Sequence, residues 1–216
     1  MSELYQRART GIRGLDDVLG GGLPRDHIYL IEGDPGVGKT TLALQFLLEG
    51  VRAGEKALYI TLSETAHEVR LIAASHGWSL DGLAMFELSA LEAQMRVDAE
   101  NTVFHPSDVE LTETTRAVLA YISSVAPARV VFDSLSKLRL LAQSHLRYRR
   151  EVLNLKTYFS KARATVITIA TRSRSGSRSC RVRPTTSRGS STISSMSRGS
   201  RPARFASRRS RSRSTT

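Results

Sequence analysis

Five short runs of apolar residues alternate along the chain with longer segments in which apolar residues recur every three or four positions. The runs lie near residues 27–32, 56–62, 84–88, 129–133 and 164–169, and the helical spacing covers segments near 40–53, 65–76, 112–125 and 145–162. Short continuous apolar runs are typical of strands buried on both faces, whereas spacing of three to four is typical of helices with one buried side. The pattern predicts an α/β sandwich with a mostly parallel central sheet flanked by helices.

The connection between the first predicted strand and the first predicted helix is rich in glycine and fits the pattern G-x-x-x-x-G-K-[ST]. Glycine allows successive backbone N–H groups to point at phosphate oxygens, and the helix N-terminus adds its dipole. We therefore predict a phosphate-binding loop, the Walker A motif, made by Gly33, Asp34, Pro35, Gly36, Val37, Gly38, Lys39, Thr40 and Thr41.

Three side chains of this loop have expected roles. Lys39 is expected to reach the β- and γ-phosphates, the Thr40 hydroxyl to bind Mg²⁺, and Thr41 to contact the α-phosphate. The alternative, a glycine-rich connection that serves only tight packing, leaves Lys39 unexplained.

Two carboxylates follow predicted strands and are therefore expected at the same edge of the sheet. Asp133 ends the run Arg129-Val130-Val131-Phe132 and is predicted to hold a Mg²⁺-bound water. Glu64 follows the run at 57–62 and is predicted to orient an attacking water. Phosphoryl transfer depends mainly on an in-line nucleophile and charge neutralisation, so one carboxylate near the γ-phosphate is a sufficient contribution from the protein. The alternative for Glu64 is a residue that only begins the next helix.

Several stretches together resemble the KaiC domain of the RecA-like P-loop ATPases, over about residues 8–169. They are Thr10 to Pro24, the phosphate loop, Tyr59 to Thr65, Phe104 to Ser107, Asp133 to Ser136 and Leu146 to Arg150. The resemblance implies binding and slow hydrolysis of ATP with Mg²⁺, Lys39 and Glu64 as catalytic residues, and ring-shaped homo-oligomers, hexameric in the family. The clock protein of this family has two adjacent glutamates where this chain has Ser63 and Glu64, so a single candidate base remains. Two other functions stay open: a nucleotide-gated module that binds DNA, RNA or a protein partner with little turnover, and, more distantly, an autophosphorylating Ser/Thr kinase.

The composition changes abruptly after the last predicted strand. Residues 171–216 contain 15 Ser, 13 Arg and 6 Thr without Asp, Glu or Lys. The other 170 residues carry 19 basic against 20 acidic residues, so the net charge of +12 comes entirely from this segment. Such a composition cannot build a core, and we predict an ATPase domain at 1–170, incomplete at its C-terminal end, followed by a disordered tail at 171–216.

Three hypotheses explain the tail: a nucleic-acid-binding extension that neutralises phosphates, a functionless solvated extension, or an out-of-frame translation that replaces the family's remaining strands. In the family, the Lys and Arg residues that reach a neighbour's γ-phosphate belong to that replaced portion. The resemblance then implies a missing arginine finger, worth about 10³ to 10⁵ in rate, with impaired turnover and poor assembly.

Other features narrow the cellular setting. The chain has one cysteine, Cys180, which excludes an internal disulfide. Charged residues near the N-terminus and the lack of a long apolar run predict a cytoplasmic protein that does not enter a membrane.

Overall fold

The structure is a computed structural model that describes residues 6–90, 106–142, 144–171 and 180–184. Its strands are β1 (Arg7–Ala8), β2 (Leu23–Pro24), β3 (Ile28–Gly33), β4 (Ala57–Thr61), β5 (Leu83–Glu87), β6 (Arg129–Asp133), β7 (Thr165–Thr171) and β8 (Cys180–Pro184). Its helices are α1 (Arg13–Val18), α2 (Lys39–Arg52), α3 (Ala66–Ser75), α4 (Pro106–Val125), α5 (Leu135–Leu141) and α6 (His145–Ala162).

The main sheet has the strand order β5-β4-β6-β7-β3-β8. The first five strands in this order are parallel, and β8 runs antiparallel to β3. In register, Thr61 lies beside both Asp133 and Glu87, so the carboxyl ends of three strands meet at one edge. This arrangement confirms the predicted α/β fold with a mostly parallel sheet.

Two apolar layers cover the faces of the sheet. Helices α2 and α3 pack on one face through Leu44, Phe46, Leu47 and Val69. Helices α4, α5 and α6 pack on the other through residues such as Ile122, Leu138, Leu155 and Phe159. Most of the sheet residues between the layers are aliphatic or aromatic, which explains why the strands appear in the sequence as apolar runs.

A buried arginine joins the amino edge of the sheet to its surroundings. The side chain of Arg129, 2% exposed, donates from Nε to Glu55 Oε2 at 2.5 Å and from Nη1 to the carbonyl of Phe46 at 2.9 Å. The same Nη1 donates to the carbonyl of Arg9, and the guanidinium lies 4.8 Å from the centroid of the Phe46 ring. Arg25 pairs with the other oxygen of Glu55. Arg129 therefore connects β6, α2 and the segment that follows β1.

The prediction of a disordered tail from residue 171 is wrong at two places. Thr171 is the last residue of β7, and residues 180–184 form β8 on the open edge of β3. An edge strand needs backbone hydrogen bonds and a modest apolar face, and Val182 packs on the layer beside α2. Composition hid this strand because serine and arginine dominate the segment around it.

The remaining differences concern helices. Helix α4 begins at Pro106, six residues before the helical segment predicted near 112–125, and residues 91–105 lie outside the described residues. The short helices α1 and α5 were not predicted, since six or seven residues are too few to show a period. The predicted C-terminal boundary of α3 is confirmed: Gly77 follows the cap residue His76 with φ of 69°.

Within the described ranges, none of the helices combines the length and the apolar character needed to cross a bilayer.

Candidate functional site

The glycine-rich loop turns the chain from the tip of β3 into the first turn of α2. Gly36 and Gly38 have φ of 78° and 86°, and a Cβ built on either would meet nothing within 4 Å. Gly38 is the N-cap of α2 and contributes no side-chain cap. The N–H groups of the first helical turn have no partner inside a helix, so this turn presents donors and the positive end of the dipole to the space over the loop.

The ammonium group of Lys39 lies within this turn. Its Nζ donates to the carbonyl oxygens of Gly33 at 3.0 Å and of Asp34 at 2.8 Å, and the side chain is 9% exposed. The loop thus wraps around its own lysine, which holds the positive charge beside the backbone N–H groups.

Asp133 ends β6 next to this loop and is 7% exposed. Its Oδ2 accepts a hydrogen bond from the Tyr59 hydroxyl at 2.7 Å. Burial raises the pKa of Asp133 above its ordinary value, and the hydrogen bond from Tyr59 and the charge of Lys39 oppose the rise only in part. Burial and the Asp133 carboxylate also raise the pKa of Tyr59, so its phenol stays protonated and acts as the donor.

Glu64 follows β4 at the same edge. The Thr61 hydroxyl donates to the Glu64 carbonyl at 2.6 Å and accepts from the Glu64 N–H at 3.0 Å, which fixes the backbone there. The Glu64 Oε2 atom is buried and has no hydrogen-bond partner. Burial raises the pKa of Glu64, and the negative charges of Asp133 and Glu68 add to this rise. A buried carboxylate oxygen without a donor is typical of a group that accepts a proton or binds water.

The alternative interpretation of Glu64 was a residue that only begins the next helix, and helix α3 does begin shortly after it, at Ala66. Thr65 caps this helix, and Thr65 and Glu68 form a reciprocal capping box. Glu64 therefore contributes nothing to the cap, which leaves its carboxylate available at the edge of the sheet.

The oxygen donors near the loop suit Mg²⁺. A hydroxyl from Thr40 and a carboxylate from Asp133 are the hard ligands that this ion takes, and it keeps several waters and phosphate oxygens. Within the described ranges, there is no cluster of three or more His, Cys, Asp or Glu side chains that would hold a metal without a ligand's help. The residues present fit a metal that arrives with a phosphate group.

The structure brings together Lys39, Thr40, Asp133 and Glu64 at one edge, around the loop of residues 33–41. Sequence reasoning assigned no role to Tyr59, whose hydroxyl donates to Asp133. One signal for Tyr59 was available: a buried phenol needs a hydrogen-bond partner, and Tyr59 is the aromatic residue with a hydroxyl in the run at 56–62.

Comparison with known proteins gives the relationships of the chain. The profile of the family described as "ATPase: KaiC" matches residues 8–188. This range includes β8 and extends beyond the boundary near 169 at which the sequence resemblance ended.

A UPF0273 protein from Aeropyrum pernix is 33% identical over 174 residues, covering 77% of this chain and 68% of that protein. The circadian clock oscillator protein KaiC from Prochlorococcus marinus is 31% identical over 152 residues, covering 69% of this chain but 29% of that protein. The chain thus matches only part of these longer relatives.

The crystal structure of a KaiC-like protein from Pyrococcus horikoshii superposes with a TM-score of 0.65. The alignment covers 87% of this chain and 92% of that protein at 22% identity, a likeness that concerns the fold alone. Because the family profile covers most of the chain, this protein belongs to the KaiC family of ATPases.

Proposed function

We propose that this protein binds Mg-ATP at the loop of residues 33–41 and hydrolyses it with a water molecule oriented by Glu64. The observation that carries the proposal is the convergence of a buried lysine, two oxygen donors and a carboxylate on the glycine-rich turn. Binding of a metal–nucleotide complex would give a role to each of these four side chains. ATP is proposed over GTP because no N-K-x-D guanine signature is found in the sequence.

Lys39 has a defined part in this proposal. Its Nζ contacts two loop carbonyls, within the turn whose N–H groups face the ligand. With a triphosphate bound, the ammonium group would neutralise the β- and γ-phosphate oxygens, while the backbone N–H groups hold their positions. Mg²⁺, held by Thr40 and through water by Asp133, would supply further charge neutralisation between these phosphates.

Glu64 would orient and deprotonate the water. Its raised pKa makes the carboxylate a stronger base, and its unpartnered Oε2 has a lone pair free for the water. Thr61, the last residue of β4, hydrogen-bonds to the backbone of Glu64 and so fixes the position from which the Glu64 side chain extends.

Calorimetric titration with Mg-ATP and an assay of phosphate release test the proposal together. Lys39→Ala is expected to lose binding, whereas Glu64→Gln is expected to bind normally and to lose about 10² to 10⁴ in turnover. Lys56→Ala, an exposed lysine, and Asp17→Asn, an exposed carboxylate on α1, are the matched controls and should retain binding and turnover. Wild-type protein that is folded and takes up no Mg-ATP would disprove the proposal.

A second candidate function is binding of a polyanion such as DNA or RNA through the folded domain. Over residues 134–171, eight basic residues face a single acidic one, Glu151. Arg139, Arg149 and Arg150 are exposed, and within the part of the chain that the structure describes none of them forms an ion pair. Arg139 lies on α5, which begins two residues after Asp133, and Arg149 and Arg150 lie on α6.

A salt-dependent DNA-binding assay separates this surface from the tail. If the folded domain binds the DNA, the double variant Arg149→Ala, Arg150→Ala is expected to weaken binding and to reduce the salt dependence of the affinity by about two phosphate contacts. Deletion of residues 185–216 is then expected to leave the affinity and its salt dependence unchanged. The opposite pattern would assign nucleic-acid binding to the tail. No DNA affinity in the wild-type protein would remove this candidate function.

A further inference from the structure

Tyr59 connects the two side chains proposed to hold the metal. Its hydroxyl donates to Asp133 Oδ2 at 2.7 Å, and the Thr40 side chain lies beside the same hydroxyl. The tyrosine ring is 0% exposed and packs in the apolar layer beside α2. One phenol therefore contacts both the tip of β6 and the first turn of α2.

The sheet register explains how the phenol reaches this position. Tyr59 on β4 pairs with Val131, and Asp133 pairs with Thr61, two residues nearer the carboxyl edge. Residues two apart on a strand share a face of the sheet, so Tyr59 and Asp133 lie on the same face, about 6.6 Å apart along the strand direction. A tyrosine on the α2 face of β4 can thus bring its hydroxyl to the edge, whereas a phenylalanine there fills the same space without the hydroxyl.

The hydrogen bond has a directional consequence for Asp133. It occupies Oδ2 and so restricts rotation of the carboxylate, which leaves Oδ1 as the oxygen available to a metal-bound water. The Thr40 side chain lies against the same phenol oxygen. Since both groups touch one rigid, buried ring, their separation is set by the protein before any ligand arrives.

We propose that Tyr59 is the positioning residue of the metal site: by holding Thr40 and Asp133 in register, it sets the affinity of the nucleotide complex for Mg²⁺. This inference rests on the proposed Mg-ATP binding. Partners that orient metal-binding side chains typically contribute 10-fold to 100-fold in metal affinity when removed. The phosphate contacts of Lys39 and the loop do not involve Tyr59, so metal-free nucleotide binding is independent of it.

The test removes the hydroxyl oxygen from each of two buried tyrosines in turn. Tyr59→Phe removes the proposed bridge, and Tyr29→Phe is the control, because Tyr29 is 5% exposed and donates its hydroxyl to the carbonyl of Pro24 at 2.9 Å. Affinity for a fluorescent ATP analogue is measured in EDTA and over a series of Mg²⁺ concentrations. Binding of Mn²⁺ to the nucleotide complex, followed by electron paramagnetic resonance, is a readout that does not depend on turnover.

In EDTA, the affinity of Tyr59→Phe for the ATP analogue is expected to match that of the wild type within twofold. The variant is expected to need 10-fold to 100-fold more Mg²⁺ or Mn²⁺ to reach the higher affinity that metal gives the wild type. Tyr29→Phe is expected to follow the wild type throughout. A metal titration of Tyr59→Phe within twofold of the wild type would overturn the inference and leave the proposed function intact. Equal losses of affinity with and without metal would also overturn it, by assigning Tyr59 to support of the loop. A wild-type protein that binds no nucleotide would refute the proposed function itself.

Discussion

Replacement of Arg129 by alanine is expected to be among the most destabilising single changes in this protein. The guanidinium is buried, and its removal leaves the carbonyl of Arg9 without this donor while Glu55 keeps only Arg25. Breaking a buried ion pair typically costs about 3–5 kcal/mol, and a buried carbonyl that loses its donor costs about 1–3 kcal/mol. Because Glu55 retains one partner and is 15% exposed, we expect a loss near the lower end, about 3–4 kcal/mol.

Urea denaturation followed by circular dichroism measures this loss. A domain of this size has about 5–15 kcal/mol of stability in total, so Arg129→Ala is expected to stay folded with a Tm lower by roughly 10 °C. Arg129→Lys keeps the charge but not the fork of donors, and its loss should be intermediate. Arg52→Ala is the control, since this exposed arginine pairs with Glu49 at 3.3 Å on the surface, and its loss should stay below about 0.5 kcal/mol. A loss under about 1 kcal/mol for Arg129→Ala, or equal losses for Arg129→Ala and Arg52→Ala, would refute the reasoning.

Three further predictions use the same measurements. Gly50→Ala would place a Cβ 2.5 Å from Cδ of Arg129 and should cost about 1–3 kcal/mol, whereas Gly14→Ala, whose Cβ meets nothing within 4 Å, should raise stability by up to about 1 kcal/mol. Thr65→Ala removes the capping box of α3 and should cost about 1 kcal/mol in urea denaturation. Glu64→Gln should raise Tm at pH 8 but not at pH 4: a carboxyl whose folded pKa is raised destabilises the fold once ionised, so stability falls as pH rises from the unfolded pKa through the folded one.

Each of these predictions has a contradicting result. A Gly50→Ala protein as stable as the wild type would mean that Arg129 moves aside without cost. An unchanged urea midpoint for Thr65→Ala would mean that water replaces the cap. A Tm difference between Glu64→Gln and the wild type that is the same at pH 4 and pH 8 would show that ionisation of Glu64 is not its cause.

The apolar pattern predicted the five parallel strands and four of the helices because each is long or continuous enough to show its period. Helix α2 illustrates this: its buried side repeats through Ala43, Leu47 and Gly50 at helical spacing. Helix α5, with seven residues, shows one buried position, Leu138, and no recurring period. Strand β8 was hidden because its pairing depends on backbone hydrogen bonds with β3, to which side-chain composition contributes little.

The candidate site was predictable where chemistry constrains a contiguous stretch and not where it depends on strand register. The loop of residues 33–41 is one segment with a fixed spacing, so the sequence alone located it. The contact between Tyr59 and Asp133 joins residues 74 positions apart. Only the alignment of β4 beside β6 brings them together, and no local pattern encodes that alignment.

The direction of β8 has a practical consequence for experiments on this protein. Because β8 runs opposite to β3, its last residue, Pro184, lies level with Tyr29 near the start of β3, and Cys180 lies level with Gly33 at the loop. A fluorophore or an affinity tag joined directly after Pro184 therefore begins at the end of the sheet opposite the glycine-rich turn. A reporter attached there is well placed to follow unfolding of that end of the sheet while leaving the glycine-rich turn unobstructed.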